Sequence, residues 1–201
     1  GFEIVDERIR DYYQDINQIF PAQPDILFVL TSQRATPVFF QQMAKMTVQR
    51  DMTVAALETL EEERLRQFGA SGIDNYLTAN RYTHLIKTPE NEEFLAAWRK
   101  LFPGTPDQPT ATAAAAYGSL LIAKAAFEKA KSTAAEPFAK AMNTTQVVLP
   151  QGRVAVDPHN NLFIQPLYLL KLSNGQYEVV EYLGDVSHPG LNNCAVERAK
   201  E

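Results

Sequence analysis

The stretch PDILFVL, residues 24–30, decides the fold. Five apolar residues, Ile26 to Leu30, follow Pro24-Asp25 without a polar break, and Thr31-Ser32-Gln33-Arg34 closes the run. A strand with one wet face alternates apolar and polar side chains, whereas an unbroken apolar run between turn residues reads as a strand covered on both faces, as in a parallel sheet. Downstream, Thr36-Pro37 reads as a helix start, with Thr as N-cap and Pro at the first helical position. Phe39, Phe40, Met43 and Met46 fall on the inner side of that helix. Met52 to Leu57 is the next strand, and Leu27, Val29, Val54 and Ala56 are expected to be buried in adjacent parallel strands. Glu58 follows, and Thr59-Leu60-Glu61-Glu62 is a capping box opening a helix with Leu65 and Phe68 inward, ended by Gly69 and Gly72. Ile73 to Tyr82 reads as a weaker strand. Upstream, Phe2 to Val5 is a short strand, and Asp15 to Phe20 a short helix stopped by Pro21 and Pro24. Strands alternating with helices in this way indicate an α/β fold with a doubly wound parallel sheet.

The pattern changes at Thr88. Thr88-Pro89-Glu90 caps a helix whose Phe94, Leu95, Trp98, Leu101 and Phe102 share a face. A Pro- and Gly-rich loop, 103–109, leads to an Ala-rich helix from about Thr110 to Lys131, apolar nearly all round and so expected to be buried on more than one side. A third short helix covers Glu136 to Met142. No strand is interleaved with these three helices. The last part is β again: Val154 and Val156 alternate with Arg153, Ala155 and Asp157, and Leu162 to Leu172 is mostly apolar, with Gln165-Pro166 marking an edge or bulge. Asn174-Gly175 is a hairpin signal, with Tyr177 to Tyr182 returning.

The 201 residues carry a net charge of −5, 45% hydrophobic and 21% charged residues, ordinary values for a globular protein. There is no basic stripe for nucleic acid and no apolar run long enough to span a bilayer. The one cysteine, Cys194, lies in a polar tail and cannot form an internal disulfide. The chain opens on Gly1, and any signal peptide is expected upstream of it.

In a doubly wound sheet, ligands bind beyond the carboxyl ends of the strands. That rule selects Thr31, Ser32 and Gln33 after one strand, and Glu58 and Thr59 after the next. Both loops lead into helix N-termini, whose free N–H groups suit a carbonyl or an anion, although Thr36 and Thr59 also read simply as caps. No nucleophile–base pair, phosphate loop or metal set is visible, so no catalytic residue, metal or cofactor is expected. The Glu61-Glu62-Glu63 run reads as an acidic first turn, Asp157-Pro158-His159-Asn160-Asn161 as a turn, and Lys124 as a snorkelling or ion-paired side chain.

Several segments, in this order and spacing, resemble the type I periplasmic binding proteins of the leucine/isoleucine/valine-binding family, especially its amide- and urea-binding branch. They are GFEIVDERI, PAQPDILFVL, LETLEEERLRQFG, NRYTHLIKTPENEEFLAAWRKLFP and TAAAAYGSLLIAKAAFEKA, then PQGRVAVDPHNNLFIQPLYLLKLSNGQYEVV. Together they cover nearly all of residues 1–182. The resemblance implies the C-terminal half of a two-lobed protein: second-lobe α/β structure over 1–82, helices of the first lobe over 83–145, closing strands and a hairpin over 146–186, and a polar tail over 187–201. It implies non-catalytic binding of a small polar solute (an amide, urea or amino acid) in a cleft that closes about a hinge, for which Asn80-Arg81-Tyr82 is the candidate. It further implies a periplasmic or extracellular location and delivery to an ABC permease; the alternative is a ligand-sensing domain that answers to a signalling partner. The helices at 89–131 then need a cover, so a patch centred on Trp98 and Leu121 is expected to be buried by the missing N-terminal half or by a second copy.

Overall fold

The apolar run after Pro24 forms strand β1 (Ile26–Val29) in the computed structural model, which describes residues 11–31, 35–46, 52–57, 76–105, 108–158, 160–173 and 176–187. β1 pairs in parallel with β2 (Thr53–Leu57), placing Leu27 opposite Val54 and Val29 opposite Ala56. β2 in turn pairs in parallel with β3 (Tyr76–Asn80), which falls within the expected span of 73–82, of which 73–75 lie outside the described residues. Val29, Val54 and Ala56 are buried and Leu27 is half-buried.

The expectation that β1 is covered on both faces is corrected. Ile26, Phe28 and Leu30, which alternate with Leu27 and Val29, are 64%, 55% and 66% exposed. The reason lies in the helix that joins β1 to β2. α2 (Ala35–Lys45) buries Phe39, Phe40 and Met43, and Phe40 meets Tyr76 edge to face at 5.3 Å. Tyr76 stands opposite Val54, so α2 covers the face of Val54 and Ala56 and leaves the other face of β1 open. A short helix before β1, α1 (Tyr13–Ile19), packs on α2 rather than on the open face: Tyr12 touches Phe39 at 5.9 Å, and its backbone N–H donates to Gln42 Oε1 at 2.6 Å. α1 buries Ile16 and gives way to a 3-10 turn at Phe20–Ala22, where Pro21 ends it. Met46, expected on the inner side of α2, is only half-buried. The strand expected at 2–5, the helix with its capping box at 59–68, Glu58, His159, Asn174-Gly175 and Cys194 lie outside the described residues.

The chain divides into two compact units: Gly1–Asn80 with Tyr168–Tyr182, and Arg81–Leu167 with Leu183–Glu201. The first unit holds β1 to β3 and the later part of β6 (Phe163–Ser173), which pairs antiparallel with β3, Thr78 opposite Leu170. β1 to β3 thus form the parallel sheet that the sequence indicated, and the C-terminal strand β6 extends it in the antiparallel sense. β7 (Gln176–Val186) pairs with β6.

In the second unit, α3 (Pro89–Leu101) begins as expected: Thr88 is its N-cap and accepts from the Asn91 N–H at 3.2 Å. Phe94 and Leu95 are buried and Trp98 is half-buried, but Leu101 and Phe102, at the end of the helix, are exposed. α4 (Ala111–Ala130) has Thr110 as N-cap and ends at Lys131 in the left-handed conformation, φ 49°. Its burial is narrower than the composition suggests: only Ala114, Gly118, Ile122 and Ala126, one residue per turn, are fully buried. That stripe meets a hairpin of β4 (Gln146–Leu149) and β5 (Gly152–Val156), where Ile122, Leu149 and Val154 form the core, flanked by Leu121 and Met142. β5 pairs in turn with the start of β6, and Leu120, off that stripe of α4, is 73% exposed. α5 (Ala135–Met142) stacks Phe138 on Phe127 of α4 at 4.2 Å.

Candidate functional site

Parallel pairing brings the carboxyl ends of β1, β2 and β3 to one edge of the first unit's sheet, with Val29 opposite Ala56 and Leu57 opposite Ala79. Thr31 follows β1 at that edge. It is half-buried, and its hydroxyl lies 2.6 Å from the Thr36 hydroxyl, either oxygen donating. Thr36 was expected to cap α2, yet it is the second helical residue and fully buried, with Pro37 third. The helix starts one turn-position earlier because Ala35 already adopts helical geometry; the Thr36 side chain then reaches back across the loop to Thr31. The first-turn N–H groups of α2 thus open at the same edge as Thr31. Ser32, Gln33, Glu58 and Thr59 lie outside the described residues, so of the five candidate contacts the structure places Thr31.

Asn80 ends β3 in register with Tyr168. Tyr82, two residues on, sits in the second unit: it is 3% exposed, its ring edge meets Phe94 at 6.0 Å, and its hydroxyl donates to Asn91 Oδ1 at 3.0 Å. Asn91 is the polar centre of this unit. Fully buried, it donates through Nδ2 to the carbonyls of Ile86 at 2.8 Å and His84 at 3.2 Å while accepting from Tyr82. The Thr88 hydroxyl that caps α3 also donates to the Pro150 carbonyl at 3.0 Å, tying the segment to the β4–β5 turn. Sequence reasoning missed this role of Asn91; its only signal was its place three residues after the N-cap, where a polar residue is ordinary.

The polar centre of the last segment is a turn. The Asp157 N–H donates to Leu162 O and the Asn161 N–H to Asp157 O, both at 2.8 Å, with Asn161 at φ 58°. Asn160 Nδ2 donates to Asp157 Oδ2 at 3.3 Å, and its Oδ1 accepts from the Leu162 N–H at 2.8 Å. These bonds occupy the polar groups with one another, as Asx-type turns do. Lys124 pairs with Glu128 at 2.9 Å on the exposed side of α4. Among the described residues no group of three or more His, Cys, Asp and Glu could hold a metal ion, and no helix is long and apolar enough to cross a membrane.

The model of one family, described as periplasmic binding protein, matches residues 8–176. No curated protein matches the sequence significantly. Among solved structures, a solute-binding protein of an ABC transporter from R. palustris in complex with 4-hydroxybenzoate superposes with TM-score 0.81 at 21% identity, over 91% of this chain and 51% of that one. An amino acid ABC transporter substrate-binding protein from Pseudomonas fluorescens gives 0.79 at 20% identity, over 92% and 51%. A leucine-binding protein from Thermotoga maritima gives 0.75 at 15% identity, over 88% and 49%. The chain thus spans about half the length of these structures, and at such identities the likeness is one of fold.

Proposed function

The chain belongs to the periplasmic binding protein family, and from that premise we propose that it contributes part of a non-catalytic site for a small polar solute delivered to an ABC permease outside the cytoplasm. On this reading residues 1–82 carry second-lobe structure and 83–145 carry helices of the first lobe. The chain is the C-terminal half of the binding fold, and the missing half or a second copy covers Trp98 and Leu121. The solute is an amide, urea or an amino acid. All three present a carbonyl or carboxylate oxygen, the group that free N–H donors at a helix start and a hydroxyl such as that of Thr31 can bind. The five contacts are Thr31, Ser32, Gln33, Glu58 and Thr59. The observation that carries the reading is the shared carboxyl edge of β1 to β3 with Thr31 beside the start of α2.

One set of contacts without closure leaves the solute in water, so affinity of the 201-residue chain should be weak, with a Kd of about 1 mM or more, equivalent to roughly 4 kcal/mol. Chemical-shift titration with urea, acetamide, leucine and 4-hydroxybenzoate tests this. At least one solute should move the amide signals of Thr31, Ala35 and Thr36 and leave those of α4 in place, and Thr31→Val should weaken the response. Silence at all three amides with every solute overturns the assignment of this edge.

A further inference from the structure

Thr36 lies on the face of α2 that carries Phe39, Phe40 and Met43, one turn before Phe40, whose ring meets Tyr76 of the sheet. Packing alone does not call for a hydroxyl there, because valine has nearly the same shape and no polar atom to desolvate. Thr36 is 0% exposed, so its hydroxyl depends on protein partners, and Thr31 Oγ1 is one of them at 2.6 Å. The bond leads outward, from a core position of the helix to the carboxyl edge of β1, where Thr31 is half-buried.

The two ends of this bond differ in freedom. A β-branched side chain in a helix has few χ1 choices, and close packing around a buried one removes what remains, so the Thr36 oxygen is fixed. Thr31 stands outside any helix or strand and is partly open to solvent, so neither a regular backbone nor full packing selects its rotamer. The bond to Thr36 does. Either hydroxyl can donate. When Thr36 donates, Thr31 keeps its proton for a carbonyl or carboxylate oxygen; when Thr31 donates, it keeps lone pairs for an N–H. In both senses the Thr31 oxygen occupies the same place before a solute arrives, and a group held in advance loses less freedom on binding.

We propose that Thr36 is a positioning residue, which touches no solute and fixes the Thr31 side chain in the rotamer that a solute meets. That Thr31 meets a solute rests on the function proposed above; that Thr36 sets its rotamer does not.

The three-bond couplings from Thr31 Cγ2 to its backbone nitrogen and carbonyl carbon report its χ1 in the 201-residue chain without solute. They should show one staggered rotamer in the unsubstituted chain and in Thr36→Ser, which keeps the hydroxyl, and averaging in Thr36→Val, which keeps the shape. Phe39→Leu loosens the packing of α2 without touching the pair and should leave the couplings unchanged. Averaging in the unsubstituted chain, a single rotamer in Thr36→Val, or equal averaging in Phe39→Leu overturns the proposal. Should Thr36→Val not fold, the hydroxyl protons of the unsubstituted chain decide: at least one of the pair should exchange slowly enough to give a cross-peak between Thr31 and Thr36, and exchange of both at the solvent rate overturns it. Titration with acetamide then reads the consequence at the Thr31 amide: Thr36→Val should weaken binding about fivefold, and Thr36→Ser should restore it. Rotamer control by Thr36 in a chain that answers to no solute would fail only the functional reading, whereas solute binding with a Thr31 rotamer indifferent to Thr36 would fail only this one.

Discussion

Thr78 and Asn91 are both buried polar residues, and they differ in what their polar atoms meet. Asn91 uses its acceptor and its donors on Tyr82, His84 and Ile86. Thr78, in the middle of β3, is 2% exposed and its hydroxyl oxygen has no hydrogen-bond partner. A satisfied buried polar group stabilises modestly, but an unsatisfied one carries its full desolvation cost of about 1–3 kcal/mol. Thr78→Val keeps the shape and the strand preference and removes the hydroxyl, so it should raise the unfolding free energy by about 1 kcal/mol. Asn91→Leu should lower it by about 3 kcal/mol, since it removes the hydrogen bonds that Asn91 makes to the Tyr82 phenol and to the His84 and Ile86 carbonyls. Urea denaturation of both variants checks the pair. A destabilised Thr78→Val would mean that the hydroxyl is bonded in solution, and a neutral Asn91→Leu would mean that the segment 82–88 is not held by this side chain.

At the scale of elements, α4 shows what helical composition can and cannot say. Its extent, read as about Thr110 to Lys131, and its apolar character are legible in the sequence, because helix-favouring composition is a local signal. Which of several apolar stripes is buried is not local. The stripe through Gly118 wins because only there can the helix backbone approach β4: a Cβ on Gly118 would lie 2.8 Å from Leu149 Cδ1. β4 itself was not singled out, since four residues, QVVL, before a Pro150-Gln151 turn are too few for a period to register. The same logic explains β1, where an unbroken apolar run was legible as a parallel strand while its open face depended on which helices pack near it. Site legibility followed the same division: Thr31 at a strand's carboxyl end follows from topology, whereas the pin made by Asn91 required knowing what lies across from it. Gly118→Ala sets two local terms against each other. Ala favours a helix interior over Gly by about 1 kcal/mol, and overpacking a filled contact costs about 1–3 kcal/mol. Leu149 is 2% exposed and hemmed by Ile122 and Val154, so it has little room to yield, and a net loss of about 1 kcal/mol is expected. Leu149→Ala alone should cost about 2–5 kcal/mol, but the two together should cost less than their sum, because the truncated side chain makes room for the new methyl. Additive losses in the thermal-unfolding series would mean that the close approach at Gly118 is not what fixes the stripe.

At the scale of the whole molecule, each unit leaves large apolar side chains in water. The first exposes Ile26, Phe28 and Leu30 on one face of β1, and the second exposes Leu101, Phe102, Leu120 and Phe127 on its helices. Scattered exposed apolar residues are common, but here three are consecutive on one strand face, and that strand has described pairing only to β2. Full burial of each such side chain would contribute about 1.5–3 kcal/mol, enough for a few of them to drive association at micromolar concentrations. Sedimentation velocity of the 201-residue chain should therefore show concentration-dependent association. The double substitution Ile26→Lys with Phe28→Glu should reduce it, with a change in unfolding free energy of no more than about 0.5 kcal/mol, because neither side chain contributes to the packed face occupied by α2. Leu120→Lys with Leu101→Glu makes the corresponding test on the second unit. A monomer at every concentration would show that neither face needs a cover. Association lost only with the second pair would place the contact on the helices, and association lost only with the first pair would place it on the open side of β1. A marked loss of stability in the first pair would instead place Ile26 and Phe28 in the core of their own unit, and the open face would then have to be redrawn as an internal one.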